Sequence, residues 1–237
     1  RVPTLYRIHD EPSREKIEAL ADFLDTIGVP FSLGQKLVPG LFNRFLKAQQ
    51  DGPFAPLINE IVLRSQSQAL YSPDNIGHFG LHLTKYAHFT SPIRRYADLV
   101  VHRGLIRALG FGKDGLKDAQ IAALAQIGET ISAHERRSMA AEREAVDRYL
   151  AAFMADRIGL VLDGRISGVT AFGLFIRLAE TGADGLVPIR SLGNEFFRHD
   201  ETRHALIGTR SGDTYALGDP VKVKLLEAAP LTGVLRF

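Results

Sequence analysis

The chain has 237 residues, enough for one large domain or two modest ones, and 45% apolar with 24% charged side chains excludes disordered, collagen-like or low-complexity material. The absence of cysteine excludes disulfides, iron–sulfur clusters, thiolate zinc sites and cysteine nucleophiles, and is compatible with a reducing, cytoplasmic setting. The net charge of +2 does not announce a nucleic-acid binder, so any basic surface must be local, and no apolar run approaches the ~18–20 residues of a membrane span.

The first residues, Arg1 to Ser13, carry neither an initiator methionine nor a signal-peptide pattern and read as an internal start. Ser13 suits a helix N-cap, Ile17, Leu20, Phe23, Leu24 and Ile27 recur at helical spacing, and Gly28 stops the helix. Helices are expected over 41–49, before the Asp51-Gly52-Pro53 break, and over 56–70, followed by loop signals from Ser72 to Gly80. Ser91 and Pro92 suit the cap and first position of a further helix, with Ile93, Tyr96, Ala97, Val100, Val101, Gly104 and Leu105 as its apolar stripe and Gly110 as its end. Helical spacing returns from Asp118 to about Ile158, with an interruption expected near Gly128.

Beyond residue 158 the character changes. Residues 160–166, 172–178, 185–189 and 221–226 are short β-branched or aromatic runs separated by Gly and Asp, the pattern of a small closed barrel of about five strands. No long-period repeat and no flexible linker interrupts the chain.

Arg94 and Arg95 fall in the first turn of the helix that Ser91 is expected to start, an unfavourable end for cations. A phosphate there would meet free N–H groups and a guanidinium together, although Asp98 could instead pair with Arg94, or Arg95 could point to water. Glu135-Arg136-Arg137 and Glu142-Arg143-Glu144 read by pattern as a solvated helix face. His78, His82, His88 and His102 lack the spacing of a metal site, and no dense carboxylate cluster suits a two-metal centre. Phe172 and Phe175 flank Gly173 three residues apart, which in a regular strand means opposite faces. Either they fill the barrel core, or a bulge at Gly173 turns both to one face as a stacking platform for bases, with Arg165, Arg177, Arg190 and Lys222 for backbone contacts.

The stretch from Tyr86 to Arg103, YAHFTSPIRRYADLVVHR, resembles the signature of the RNase II/RNase R (RNB) family, nearer the RNase R branch. The likeness extends through Leu5-Tyr6-Arg7-Ile8-His9-Asp10, His78-Phe79-Gly80-Leu81, Glu135-Arg136-Arg137 and Ala141-Glu142-Arg143. From Gly168 to Phe175, Gly185 to Val187 and Tyr215 to Asp219 the chain resembles an S1-type RNA-binding module. The resemblance implies an α+β chain. Residues 1–157 would be the mainly helical C-terminal portion of the catalytic domain, and 158–237 a five-stranded OB-fold barrel. It implies processive 3′-to-5′ hydrolysis of single-stranded RNA to nucleoside monophosphates. Arg94 would sit at the phosphate near the scissile bond as the catalytic residue, with Arg95 beside it, Glu142 near the RNA 3′ end, and Phe172, Phe175 and Arg177 gripping RNA. Pro188 departs from the His that many such modules carry. Magnesium is expected on aspartates of a segment this sequence lacks, so the chain would be inactive alone and would partner the missing N-terminal part of the same protein. The competing readings are a non-catalytic RNA-binding module and a helical scaffold whose barrel makes protein contacts.

Overall fold

A computed structural model describes residues 2–32, 37–52 and 54–237, so Arg1, residues 33–36 and Pro53 lie outside the described residues. The chain divides into two compact units. One comprises Arg1–Glu18, Ser32–Asp51 and Ile61–Met139, the other Ala19–Phe31, Gly52–Glu60 and Ala140–Phe237. The join expected at 157/158 follows a 3₁₀ turn over Ala155–Arg157.

The helical readings hold where the signal is local. α1 spans Arg14–Thr26; Ser13 accepts the Lys16 N–H at 3.4 Å, and Ile17, Leu20, Phe23 and Leu24 are buried. Gly28 takes a left-handed φ of 71°, which no β-carbon opposes. α2 covers Pro39–Gln49. α3 covers Ala55–Ser65 and stops short of the expected Leu70. Leu70–Ser72 are instead a strand, β2, paired antiparallel with β1 (Tyr6–Ile8), with Arg7 opposite Tyr71. The apolar stripe of the helix ends at Leu63, and a pairing across more than sixty residues takes Leu70 into a strand.

α4 spans Tyr96–Leu109 and ends at Gly110, whose φ of 67° lets its N–H reach the Ile106 carbonyl. It begins four residues later than Pro92, so Arg94 and Arg95 precede the helix rather than occupying its first turn. α5 (Asp118–Ala122) and α6 (Leu124–Met154) are separated at Ala123, and α6 runs unbroken through Gly128. That glycine serves close approach, not a break. A β-carbon on it would lie 2.4 Å from the Tyr71 carbonyl oxygen, and one on Gly104 would lie 2.2 Å from the Pro3 carbonyl oxygen. Leu5, Val100, Leu116 and Leu124 form the core beside them.

In the second unit β3 (Val161–Thr170), β4 (Gly173–Leu178), β5 (Asp184–Pro188), β9 (Pro220–Lys224), β10 (Glu227–Ala229) and β11 (Val234–Arg236) form a six-stranded sheet in the order β10-β11-β5-β4-β3-β9. β6 (Phe197–Asp200), β7 (Ala205–Gly208) and β8 (Thr214–Ala216) form a separate three-stranded sheet. The chain is α+β with an OB-fold S1 domain, its strands divided more finely than the run count suggests. The register of β3 against β4 shifts between Ile166 and Gly168, so the bulge lies there and not at Gly173. Ile166, Leu174, Ile176, Leu206, Leu225 and Phe237 fill the interior.

Candidate nucleic-acid interface

The signature stretch folds into a turn and the start of a helix. Ser91 accepts the N–H groups of Arg94 (3.2 Å) and Arg95 (3.0 Å) on its carbonyl. The Ser91 N–H itself donates to Asp98 Oδ1 at 2.7 Å, and Arg95 Nη2 donates to the same oxygen at 2.9 Å. Asp98, in the first turn of α4, is 0% exposed. Burial alone would push its carboxyl up, but the Arg95 guanidinium and the Ser91 N–H hold it below the usual carboxylate range. Neither alternative read from the sequence holds: Asp98 takes Arg95 and not Arg94, and Arg95 is turned to that carboxylate and not to water. Arg94 is exposed, and among the described residues its guanidinium has no hydrogen-bond or ion-pair partner. The helix-terminus argument for a phosphate at Arg94 falls with the later helix start. What replaces it is an unneutralised cation at the apex of a clamped turn.

Behind this turn the quoted stretches converge. His9 stacks on His78 (ring centroids 4.9 Å, 29°), His78 meets Tyr86 edge-on (5.3 Å), Tyr86 meets His88 (5.6 Å), and His88 meets Tyr71 (5.5 Å). The Arg7 guanidinium lies 4.7 Å over the Tyr71 ring and donates to Glu135 Oε2 at 2.6 Å. His9 Nδ1 accepts the Gly80 N–H, so its Nε2 carries the proton donated to the Ser67 carbonyl at 2.7 Å. The Tyr71 hydroxyl lies 2.9 Å from His88 Nδ1. Burial, with Glu135 nearby, pushes the Tyr71 phenol up. The pattern of the sequence does not reveal Tyr71. It follows the polar stretch Arg64 to Gln68 with no distinguishing pattern, and only its place opposite Arg7 marks it.

Burial, with His9 and the Arg7 guanidinium close by, holds His78 below the ordinary imidazole range; burial, Arg95 and Arg7 do the same to His88. Both are therefore neutral in the fold and protonate more readily when unfolded. Their contribution is complete above about pH 6.5 and is lost as pH falls from there toward the lower folded values. Urea denaturation at stepped pH should show stability beginning to decline as pH falls below about 6.5, above the range in which most carboxylates titrate. Replacing both His78 and His88 by asparagine should flatten that decline, and an unchanged decline would assign it to other groups.

In the second unit Phe172 lies in the turn after β3 and is 57% exposed, while Phe175 on β4 is 37% exposed. Their rings meet edge-to-face at 6.0 Å and 86°, so the pair is on the surface and the core alternative does not hold. Gly168 stands opposite Phe175, and a β-carbon there would lie 3.3 Å from its ring. Gly173 has φ of 156°, and a β-carbon on it would lie 2.3 Å from the Val187 carbonyl oxygen. Arg177 is divided between Asp184 (3.3 Å) and Glu60 (3.8 Å), Lys222 pairs with Asp163 (3.0 Å), and Arg165 donates to the Gly218 carbonyl. Glu142 lies on α6, where residues 136–146 are all exposed, and has no ion-pair partner among the described residues. The residues expected at the site thus fall in both units: Arg94 and Arg95 in the first, Glu142, Phe172, Phe175 and Arg177 in the second.

Among the described residues no three His, Asp or Glu side chains converge as a metal site would require. The described residues therefore do not fit a resident metal, and no reaction step is assigned through one.

A family model described as RNB domain matches residues 1–110, and one described as S1 RNA binding domain matches residues 155–229. The chain belongs to the RNase R-like RNB family. Ribonuclease R of Aquifex aeolicus is 41% identical over 224 residues, covering 94% of this RNB–S1 chain and 32% of that protein. The apo form of Mycoplasma genitalium RNase R superposes with a TM-score of 0.90 at 29% identity, over 99% of this chain and 37% of that one. The same protein in complex with ribose methylated single-stranded RNA superposes with a TM-score of 0.89 at 29% identity, with the same coverage. The RNB–S1 chain spans about a third of the length of the curated relatives it matches.

Proposed function

We propose that this chain is the RNA-gripping part of a processive 3′-to-5′ exoribonuclease that hydrolyses single-stranded RNA to nucleoside monophosphates in the cytoplasm. The observation that carries this reading is Arg94: a guanidinium exposed at the apex of a clamped turn, unpaired among the described residues, beside an arginine that is paired with Asp98. In this reading Arg94 neutralises phosphate charge near the scissile bond. Glu142 approaches the 3′ end, and the Phe172–Phe175 pair stacks on bases further along the strand. Arg95 faces Asp98, so any contact it makes with RNA is secondary, and Arg177 reaches phosphate only in competition with Asp184 and Glu60. Magnesium, in this reading, is held by residues of a companion N-terminal part outside this sequence, and the chain is inactive alone. The bound RNA of the Mycoplasma genitalium complex supports the choice of partner.

A second reading, a non-catalytic RNA-binding module, rests on the exposed Phe172–Phe175 pair of the S1-matching unit, which can grip RNA with or without a catalytic centre. The deciding experiment presents 5′-labelled single-stranded RNA and magnesium to the chain with and without the N-terminal part of its family. Shortening from the 3′ end only in the mixture supports the first reading; salt-sensitive binding with no shortening in either supports the second.

Three substitutions probe the interface. In an active RNB enzyme carrying this chain, Arg94→Ala should lower turnover far more than RNA affinity, whereas equal losses would reduce Arg94 to simple grip. Phe172→Ala and Phe175→Ala should each weaken single-stranded RNA binding by about 1–3 kcal/mol, read as fluorescence anisotropy of a labelled strand. Unchanged affinity in both would remove the stacking platform.

A further inference from the structure

We propose that Asp98 is a positioning residue for RNA, acting through Arg94. The inference rests on the assignment of phosphate contact to Arg94 and adds how that contact is prepared.

The geometry is a two-sided clamp on one turn. The Ser91 carbonyl receives the N–H groups of Arg94 and Arg95 at 3.2 and 3.0 Å, which closes the turn from within. The Ser91 N–H is tied at 2.7 Å to Asp98, seven residues on, and Arg95 Nη2 reaches the same carboxylate oxygen at 2.9 Å. Both ends of the Pro92-Ile93-Arg94 segment are thereby fixed to the first turn of α4. Between them Ile93 and Arg94 are fully turned out, Ile93 with 102% of its reference exposure. Nothing else among the described residues holds the Arg94 side chain.

The clamp is more than the turn needs for its own stability. Asp98 Oδ2 and Arg95 Nε are buried with no hydrogen-bond partner, so the pair carries two unsatisfied polar atoms. Burying a charged pair this way returns little net stability compared with an apolar pair of the same shape. Its return is order in the segment that carries Arg94. A cation on a preorganised turn meets a phosphate without first losing conformational freedom. A mobile turn would carry the same charge but hold it at the phosphate less often. Asp98 makes no contact with solvent and so cannot itself touch RNA.

The test measures binding of a fluorescein-labelled oligouridylate to the chain, across a salt series, for wild type, Arg94→Ala, Asp98→Asn and the double variant. Arg94→Ala should weaken binding about tenfold and reduce the salt slope by about 0.7, one phosphate contact on a single strand. Asp98→Asn, which keeps an acceptor for Ser91 but drops the charge facing Arg95, should give a smaller loss with a reduced slope. In the Arg94→Ala background it should add nothing. An equal loss from Asp98→Asn in both backgrounds, with the slope unchanged, overturns the positioning role and leaves Asp98 as a structural residue. Arg94→Ala without any loss overturns the phosphate assignment itself, and the positioning role with it.

Should Asp98→Asn fail to fold, Arg95→Lys answers the same question, because it keeps the charge and loses the planar fork. Amide exchange at Ser91 should then quicken in step with the Arg94-dependent loss of affinity. Faster exchange with undiminished affinity would equally overturn the proposal.

Discussion

Alanine at Asp98 should destabilise the first unit by about 3 kcal/mol, because it leaves the Arg95 guanidinium and the Ser91 N–H without their shared partner. For a chain of this size that corresponds to a fall of roughly 6–12 °C in melting temperature, readable by differential scanning calorimetry. The carboxyl of Asp98 is held below its unfolded value, so its contribution is present above about pH 4 and is lost as pH falls through the lower folded value. The gap between wild type and Asp98→Ala should therefore be widest near neutral pH and narrow on acidification. A gap that widens with acid would mean that the carboxylate is not the stabilising form.

Gly128→Ala should be comparably damaging, against the expectation from helix propensity. Mid-helix, alanine is favoured over glycine by up to about 1 kcal/mol. Here the added carbon would stand 2.4 Å from the Tyr71 carbonyl oxygen and 3.1 Å from its carbon, both backbone atoms that cannot rotate away. α6 would have to leave β2, breaking the tie in which Ser132 Oγ accepts the Tyr71 N–H at 3.0 Å while donating to the Gly128 carbonyl at 2.7 Å. The expected cost is about 3 kcal/mol, and Gly104→Ala, 2.2 Å from the Pro3 carbonyl oxygen, should behave alike. Gly40 in α2 is the control: a β-carbon there has nothing within 4 Å, so Gly40→Ala should leave stability level or improve it. Loss of stability in Gly40→Ala equal to that in Gly128→Ala would sink the steric explanation.

Much of this architecture is legible in the sequence wherever the cause is local. The stripe from Ile17 to Leu24 and the stop at Gly28 are set within one helix, and the strand runs after residue 158 announce a barrel through β-branched residues and turns. The readings that shift are those decided at a distance. Ser91 and Pro92 look like a helix start, but the carboxylate of Asp98 captures the Ser91 N–H and delays the helix to Tyr96. Leu70 falls at the end of the stretch read as helix, yet Leu70–Ser72 pair with residues 6–8. Gly128 reads as an interruption because its cause is the carbonyl of Tyr71. The outward face of Phe172 and Phe175 follows from a turn that begins before Phe172, whereas strand alternation would separate them. At the interface, Arg94 is marked locally only through a helix start that lies elsewhere, Glu142 carries no local mark beyond the family pattern, and Tyr71 carries none at all.

The file of rings beginning at His9 is built from segments far apart along the chain: Arg7 meets Glu135 across 128 positions, and the Tyr71 N–H meets Ser132 across 61. Helices of this length form in about a microsecond, but closing loops so long must await the docking of β1, β2 and α6. Ring-sensitive probes of His9, His78, Tyr86, His88 and Tyr71 would therefore report this long-range docking itself, which the local signal of a single helix does not.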